Sequence, residues 1–205
     1  MGANMRRSVV VAGAVLALLS LCGASPYPNA DASIERQCDL LASSPYDADR
    51  PEGVPGVAPG NIDTKLAIPA CRAALAEHPD SARAAYQLAR ALHKKGSLAA
   101  YEEAAKLYRR TADAGNALAA HNLGAMYDNG QGVAKDYLVA LELYEKAAVK
   151  GFAQSMVSIG LHYGSGQGVE KNVTTAREWY EKAVAAGEAS AKDYLKKIDD
   201  KGRQR

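Results

Sequence analysis

Two closely spaced glycines in the stretch YDNGQGVAKD, residues 127–136, are the first candidates for chemistry. Gly130 and Gly132 could bring bare backbone N–H groups close to a phosphate, as nucleotide-binding loops do. Such a cradle follows a strand and opens a helix, whereas these glycines follow an apolar run with helical spacing. The same arrangement returns as YGSGQGVEKN at residues 163–172. One turn used twice explains both copies better than two nucleotide sites, so we predict hinges between paired helices.

The other reactive residues show no catalytic pattern. The sequence contains no H-E-x-x-H, C-x-x-C or G-x-S-x-G motif. His93, His121 and His162 do not occupy equivalent repeat positions, so no metal site is predicted from them. Cys38 and Cys71 have no neighbouring histidine that would activate a thiolate nucleophile. We therefore predict no enzymatic activity, no cofactor and no metal.

The amino terminus has the layout of a secretory signal peptide. Two arginines precede an apolar run from residue 9 to about residue 22, which is shorter than the ~20 apolar residues of a membrane span. We expect a bacterial export signal over residues 1–24, with cleavage as late as residue 32 as the alternative. The protein is then periplasmic or secreted and has no transmembrane segment after processing. The bulky Leu21 before Cys22 argues against a lipid anchor at that cysteine.

Export also decides how the charges and the remaining cysteines are interpreted. Without residues 1–24 the chain has as many basic as acidic residues, which gives no argument for nucleic acid as a partner. Cys38 and Cys71, which remain, are a candidate disulfide pair in an oxidising compartment. Two buried free thiols are the alternative.

The chain repeats itself with a period of 36 residues. Units 117–152 and 153–188 align throughout, and the earlier unit 81–116 keeps the second half of the pattern. Apolar residues recur at spacings of three and four, so each unit is predicted to form two helices joined by a turn. Small residues at Gly124 and Gly160 would let neighbouring helix axes approach closely.

This periodicity defines the predicted domain organisation. The fold class is all-α, a solenoid of stacked antiparallel helix pairs over residues 67–205 that ends in a capping helix at 189–200. Residues 25–66 form an N-terminal cap, with a helix followed by a proline- and glycine-rich loop at 43–61 that should contain no regular element. A bridge from Cys38 to Cys71 would fasten this cap to the first repeat helix. A disordered linker is the alternative for the loop.

The unit pattern LG..Y..G.GV.KD followed by A...Y.KAA..G resembles the Sel1-like repeat, a member of the tetratricopeptide superfamily of α-solenoids, and the chain resembles the secreted bacterial type of such proteins. Residues 117–188 carry the resemblance best, while unit 81–116 lacks the double-glycine turn. The resemblance implies a non-enzymatic adaptor of the cell envelope that binds a partner protein or peptide and can be regulatory. Cysteine-rich relatives suggest the alternative, a peptidoglycan- or β-lactam-binding or hydrolysing protein. Those relatives carry a disulfide in each repeat, and residues 81–188 contain no cysteine.

In tetratricopeptide-type solenoids the first helix of each pair lines a concave groove, and the resemblance transfers that role to matching positions here. The implied groove residues are Arg83, Tyr86, Arg90, His93 and Lys94 in the first unit, Leu118, His121, Ala125, Asp128 and Asn129 in the second, and Gln154, Val157, Leu161 and Ser165 in the third. Such a groove would suit an acidic or C-terminal peptide segment; an ordinary solvated helix face is the alternative. Joint reversal of Arg83 and Arg90 to Glu is expected to abolish partner binding without unfolding the solenoid.

Overall fold

The computed structural model describes residues 34–203, which form nine α-helices and one short 3-10 helix and contain no strand. The predicted export signal and Cys22 lie outside the described residues. The helices are α1 (Ile34–Ala42), α2 (Thr64–Glu77), α3 (Ala82–Lys95), α4 (Leu98–Asp113), α5 (Ala117–Asn129), α6 (Tyr137–Val149), α7 (Ala153–Ser165), α8 (Val173–Ala185) and α9 (Ala191–Arg203).

Successive helices pack as pairs, and each pair stacks on the next. The pairs α3–α4, α5–α6 and α7–α8 correspond to the three sequence units, and α9 packs on α8. The helices α1 and α2 precede them as a further pair, and α1 also contacts α3. The prediction of an all-α solenoid is confirmed.

The glycine-rich stretches form the predicted hinges. Gly130 and Gly166 end α5 and α7 in the left-handed backbone region, with φ of +67° and +81°. After each loop a polar side chain caps the next helix: Asp136 accepts from the amides of α6, and Asn172 accepts from the amide of Thr175 in α8. Left-handed backbone strongly favours glycine, which explains why both units keep it here.

The second glycine of each hinge brings the loop against the preceding unit. A Cβ placed on Gly132 would lie 2.4 Å from the carbonyl carbon of Tyr101 at the start of α4. A Cβ on Gly168 would lie 2.8 Å from the Cβ of Tyr137 at the start of α6. These glycines therefore serve the contact between units and leave no room for a phosphate.

Small residues and tyrosines interlock within each pair. A Cβ on Gly160 would lie 2.5 Å from Cε1 of Tyr180, and one on Gly124 would lie 2.9 Å from Cε1 of Tyr144. Tyr127 packs against apolar clusters on both sides of it, so it joins the second unit to its neighbours. Side-chain packing thus fixes the spacing of the helices within the solenoid.

The N-terminal cap differs from the prediction in one detail. Cys38 in α1 and Cys71 in α2 form a disulfide, with Cα atoms 4.6 Å apart. The proline- and glycine-rich loop was predicted to contain no regular element, but Pro59–Asn61 form a 3-10 helix, in which Pro59 supplies the fixed φ of the first turn. At the other end α9 extends to Arg203, three residues beyond the predicted capping helix.

Candidate functional site

The predicted groove residues lie on α3, α5 and α7, the first helices of the three units. We call this surface the groove face. Its three parts differ in how much of them the chain itself covers, and these differences decide what each part can bind.

The N-terminal segment covers the α3 part of the groove face. Arg90 is only 5% exposed, and its terminal nitrogens donate to the backbone carbonyls of Ala42 and Val57, the second at 2.7 Å. The amide of Val57 donates to the carbonyl of Ser43 at 2.8 Å. Main-chain groups thereby fix the end of α1 and Val57 on α3 and bring the two ends of segment 43–58 together.

Acidic and polar side chains of α1 occupy the neighbouring groups of α3. The Arg83 guanidinium lies 3.2 Å from Asp39 and 3.3 Å from Glu35. Gln87 donates to Oδ1 of Asp39 at 2.6 Å and to Oγ of Ser43 at 3.0 Å. Burial raises the pKa of Asp39, although the Gln87 hydrogen bond and the Arg83 charge oppose that shift. This network ties α1 to the groove face.

The surroundings of Arg83, Tyr86 and Arg90 therefore differ from the open surface that was expected. Tyr86 is 1% exposed, and burial raises the pKa of its hydroxyl to about 12. Reversal of Arg83 and Arg90 would set carboxylates against Glu35, Asp39 and two backbone carbonyls. That double change should disturb the packing of the N-terminal segment, so the expectation of an intact fold is corrected. A partner-binding role for these residues stays a prediction.

The other two predicted residues of the first unit lie in the last turn of α3. His93 is partly buried against the rings of Tyr101 and Tyr108, and its Nε2 lies 3.1 Å from Oε1 of Gln131. Burial lowers the pKa of His93. Lys94 is exposed. Of the five predicted groove residues of this unit, Lys94 alone is exposed.

The α5 and α7 parts of the groove face remain accessible. Leu118, Gln154 and Val157 are partly exposed, and Asn129 and Leu161 are exposed. Apolar and amide side chains predominate in this set. The surface is accordingly suited to apolar contacts and to hydrogen bonds with main-chain amides.

His121 lies at the centre of this accessible surface. Its ring is 5.0 Å from that of Phe152 and 5.3 Å from that of Tyr144, and its Nδ1 lies 2.9 Å from Oγ of Ser155. Burial lowers the pKa of His121 to about 4, although the charge of Asp128 opposes the shift. The imidazole is therefore neutral at pH 7 and acts here as a packed ring.

Asp128 forms a buried polar cluster between the second and third units. It accepts from the hydroxyl of Tyr144 at 2.8 Å, and its carboxylate lies 3.1 Å from Nε2 of His162. The other ring nitrogen of His162 lies 2.9 Å from the carbonyl oxygen of Gln167. Burial alone lowers the pKa of His162, but the bond and charge of Asp128, with the Gln167 carbonyl, outweigh it and raise that pKa. Asp128 is thus engaged within the fold.

Sequence reasoning missed the covering segment and this cluster. The signal for the first was a pair of acids, Glu35 and Asp39, spaced four apart on one face of α1 and able to meet the basic residues of α3. The signal for the second was the separation of Asp128 and His162 by 34 residues, close to one repeat period.

The described residues show no other centre of chemistry. Within residues 34–203 no three His, Cys, Asp or Glu side chains are grouped so that they could hold a metal ion. In the same part of the chain no helix has both the length and the apolar character that membrane crossing requires.

Comparison with known families identifies the repeat. The family model of the Sel1 repeat matches residues 82–116, 117–152 and 153–188, which together make up more than half of the chain. None of the curated proteins matches the chain.

Solved structures of such repeats share the fold. A Sel1 repeat protein from Oxalobacter formigenes is 30% identical with a TM-score of 0.60, over 70% of this chain and 58% of that one. A protective antigen of uropathogenic Escherichia coli strains displaying an SLR fold is 25% identical with a TM-score of 0.62, over 75% of this chain and 31% of that one. Helicobacter pylori cysteine rich protein B is 22% identical with a TM-score of 0.48, over 68% and 98% of the two chains. The chain thus spans 58% and 31% of the first two proteins.

Proposed function

The chain belongs to the Sel1 repeat family, and we propose that it is a non-enzymatic adaptor of the bacterial cell envelope that holds a partner protein or peptide on its groove face. The Sel1 repeat fold is typical of protein–protein interaction modules, and the family is generally non-catalytic. A regulatory role in the envelope would follow from control of that partner.

The observation that carries the proposal is the segment 43–58 on α3. The carbonyl of Val57 in this segment accepts from Arg90 of α3, as does the carbonyl of Ala42 at the end of α1. Main-chain groups are present in every polypeptide, so this contact supports the view that the face accommodates a polypeptide segment. A partner would occupy the next part of the same face, on α5 and α7.

The character of that part suggests the chemistry of the partner. Leu118 and Val157 are partly exposed. On the same two helices the amide side chain of Gln154 is partly exposed and that of Asn129 is exposed. The ring of Tyr46, 59% exposed, meets that of Phe152 at 6.2 Å, so the covering segment borders this surface. We expect a segment with apolar side chains whose backbone bonds to the amides. The acidic ligand expected from Arg83 and Arg90 is less well supported, because both arginines already have partners.

Two features support the envelope location. The sequence predicts an export signal, and the disulfide between Cys38 and Cys71 is compatible with an oxidising compartment. The assignment to the periplasm or the exterior is part of the proposal.

A capture experiment with charge variants tests the groove face. The purified protein is immobilised and exposed to an envelope extract of the organism that encodes it, and bound proteins are quantified by mass spectrometry. The double variant Asn129→Arg with Gln154→Arg places two cations on the accessible face. It should reduce capture of the specific partner at least tenfold, because charge is costly to bury in an apolar contact.

The control places the same two charges elsewhere. Leu138 and Val149 of α6 are 58% and 87% exposed and lie outside the groove face, so Leu138→Arg with Val149→Arg should leave capture unchanged. Each variant must keep its thermal transition. Equal capture by both variants would reject the groove assignment. Hydrolysis of a chromogenic β-lactam, or pelleting with peptidoglycan, by the same preparation would favour the alternative function.

A further inference from the structure

The helices α7, α8 and α9 enclose a cleft of about 820 Å³. Its apolar floor includes Val173 at the start of α8, Tyr180 in the middle of α8 and Ile198 of α9. Val173 is 45% exposed, and Leu161 at the edge of the cleft is 40% exposed. Apolar surface of this kind is accessible although the helices around it are well packed.

The corresponding place in the two preceding units is filled by a hinge loop. Gly132 packs on Tyr101 at the start of α4, and Gly168, 36 residues later, packs on Tyr137 at the start of α6. The position in the following unit that corresponds to Tyr101 and Tyr137 is Val173, 36 residues after Tyr137. In the part of the chain that the structure describes, no loop covers Val173. The cleft is therefore the equivalent of the place at which a hinge loop packs in the preceding units, and it is open in this unit.

One difference in sequence between the repeat units changes the chemistry of this open cleft. Val133 and Val169 of the hinge loops share apolar clusters with Ala105 and Leu141, respectively. The residue one period beyond Leu141 is Arg177, which lines the cleft and pairs with Asp199. A cation thus stands where the preceding units have an apolar contact.

Three lysines add to this positive charge. Lys171, Lys197 and Lys201 line the cleft, and among residues 34–203 no ion pair involves any of them. Asp199 is the one acidic residue of the lining and is already paired with Arg177. Positive charge around an apolar floor favours a ligand that carries carboxylates beside a small or aliphatic side chain.

We propose that the α7–α9 cleft binds an extended acidic segment of a partner protein. A small aliphatic side chain of that segment would lie over Val173 and Ile198, as the valine of each hinge loop lies against the preceding unit. Carboxylates on either side would meet Lys171, Lys197 and Lys201. The cleft shares Leu161 and Ser165 of α7 with the groove face, but its lysines lie outside that face, so this proposal stands whether or not the other groove residues bind a partner.

Fluorescence anisotropy with a defined peptide tests the proposal. The probe is a labelled, capped peptide of sequence Asp-Gly-Val-Asp-Glu, and its amide counterpart Asn-Gly-Val-Asn-Gln serves as the comparison. The acidic peptide should bind, and the amide peptide should bind at least tenfold more weakly. Binding of the acidic peptide should weaken as salt rises, because exposed charges are screened.

Two double variants of α9 locate the site. Lys197→Glu with Lys201→Glu reverses two charges of the cleft and should weaken binding at least tenfold. Lys192→Glu with Lys196→Glu reverses two exposed lysines at the same spacing on the same helix, outside the cleft lining, and should change binding less than twofold. Circular dichroism verifies that both variants remain folded.

Three results would overturn the proposal. They are equal weakening by the two double variants, equal binding of the two peptides, and no binding of the acidic peptide at millimolar concentration. Sedimentation tests the alternative that a second copy of the protein occupies the cleft. A dimer that the Lys197→Glu and Lys201→Glu changes dissociate, and the control changes do not, would assign the cleft to self-association instead.

Discussion

At the scale of single residues, the two acceptors around His162 determine its charge. One ring nitrogen faces the carbonyl oxygen of Gln167 and the other faces the carboxylate of Asp128. Both acceptors favour an N–H on the ring nitrogen that faces them, and together they raise the pKa of His162 against the opposing effect of burial. Since Asp128 belongs to α5 and His162 to α7, this charged hydrogen bond links the second and third units.

The pH dependence of this link has a definite sign. The folded-state pKa of His162 is raised above its ordinary value of 6.5, so the folded chain holds the proton more tightly than the unfolded chain. Its stabilisation is fully present below pH 6.5 and is lost as pH rises through the folded-state pKa. His93 and His121 have lowered pKa values, and their contribution is present above pH 6.5 and lost as pH falls.

Asp128→Asn should isolate the contribution of His162. The amide keeps an acceptor but removes the charge, so the free energy of unfolding should fall by about 1–3 kcal/mol at pH 6 and by less at pH 8. Urea unfolding of the wild type and the variant at both pH values measures the difference, in which the other histidines largely cancel. The exposed Asp113→Asn is the control. An equal loss at both pH values would contradict a protonated His162.

At the scale of elements, the hinge loops transmit packing from one unit to the next. Gly132 and Gly151 both have left-handed backbone, with φ of +67° and +85°. They differ in space, because a Cβ on Gly132 would meet the backbone of Tyr101 and Glu102, whereas a Cβ on Gly151 would meet nothing within 4 Å. The pair therefore separates the cost of backbone conformation from the cost of packing between units.

Gly132→Ala should destabilise the protein more than Gly151→Ala. Both changes carry the cost of a left-handed alanine, about 1–2 kcal/mol. Gly132→Ala adds overpacking against a helix backbone, typically about 1–3 kcal/mol more. The midpoint and slope of urea unfolding measure both variants. If the two alanine variants lost the same free energy of unfolding, the loop would not be in firm contact with the preceding unit.

The hinges and helix pairs were predictable, and the covering segment was not, for one physical reason. Glycines at repeated left-handed positions and apolar residues at helical spacing leave a mark on the side-chain sequence. Arg90 holds Val57 of the segment 43–58 through its backbone carbonyl, and any residue type supplies a carbonyl. Composition therefore predicted a loop, although not its 3-10 helix at Pro59–Asn61, and carried no information about the surface on which the loop lies.

At the scale of the molecule, three apolar clusters follow one another along the solenoid. The first extends from α1 to α6, and the other two lie between α6 and α9. Neighbouring clusters share tyrosines, Tyr127 at the first junction and Tyr163 at the second. The disulfide constrains only the first region and contributes about 3–4 kcal/mol there in the chain-entropy model. Stability is thus local, and each end depends on its own cover.

Removal of residues 191–205 tests this local stability at the C-terminal end. Ala191, Leu195 and Ile198 of α9 cover the cluster around Tyr180, whose ring stacks on Tyr194 at 5.1 Å. Without α9, hydrogen-exchange protection should fall in α7 and α8 and persist in α1 to α4, because each unit contacts only its neighbours.

The hydroxyl of Tyr180 provides an independent measurement on the same truncated protein. Burial raises the pKa of this tyrosine to about 12, so removal of α9 should return it towards the ordinary value of 10 in a spectrophotometric titration. Newly exposed apolar surface should also promote self-association, which sedimentation detects. A truncated protein that stayed monomeric with unchanged protection in α8 would show that α9 is no cap. Uniform loss of protection along the chain would instead mean that the solenoid unfolds as a single cooperative unit.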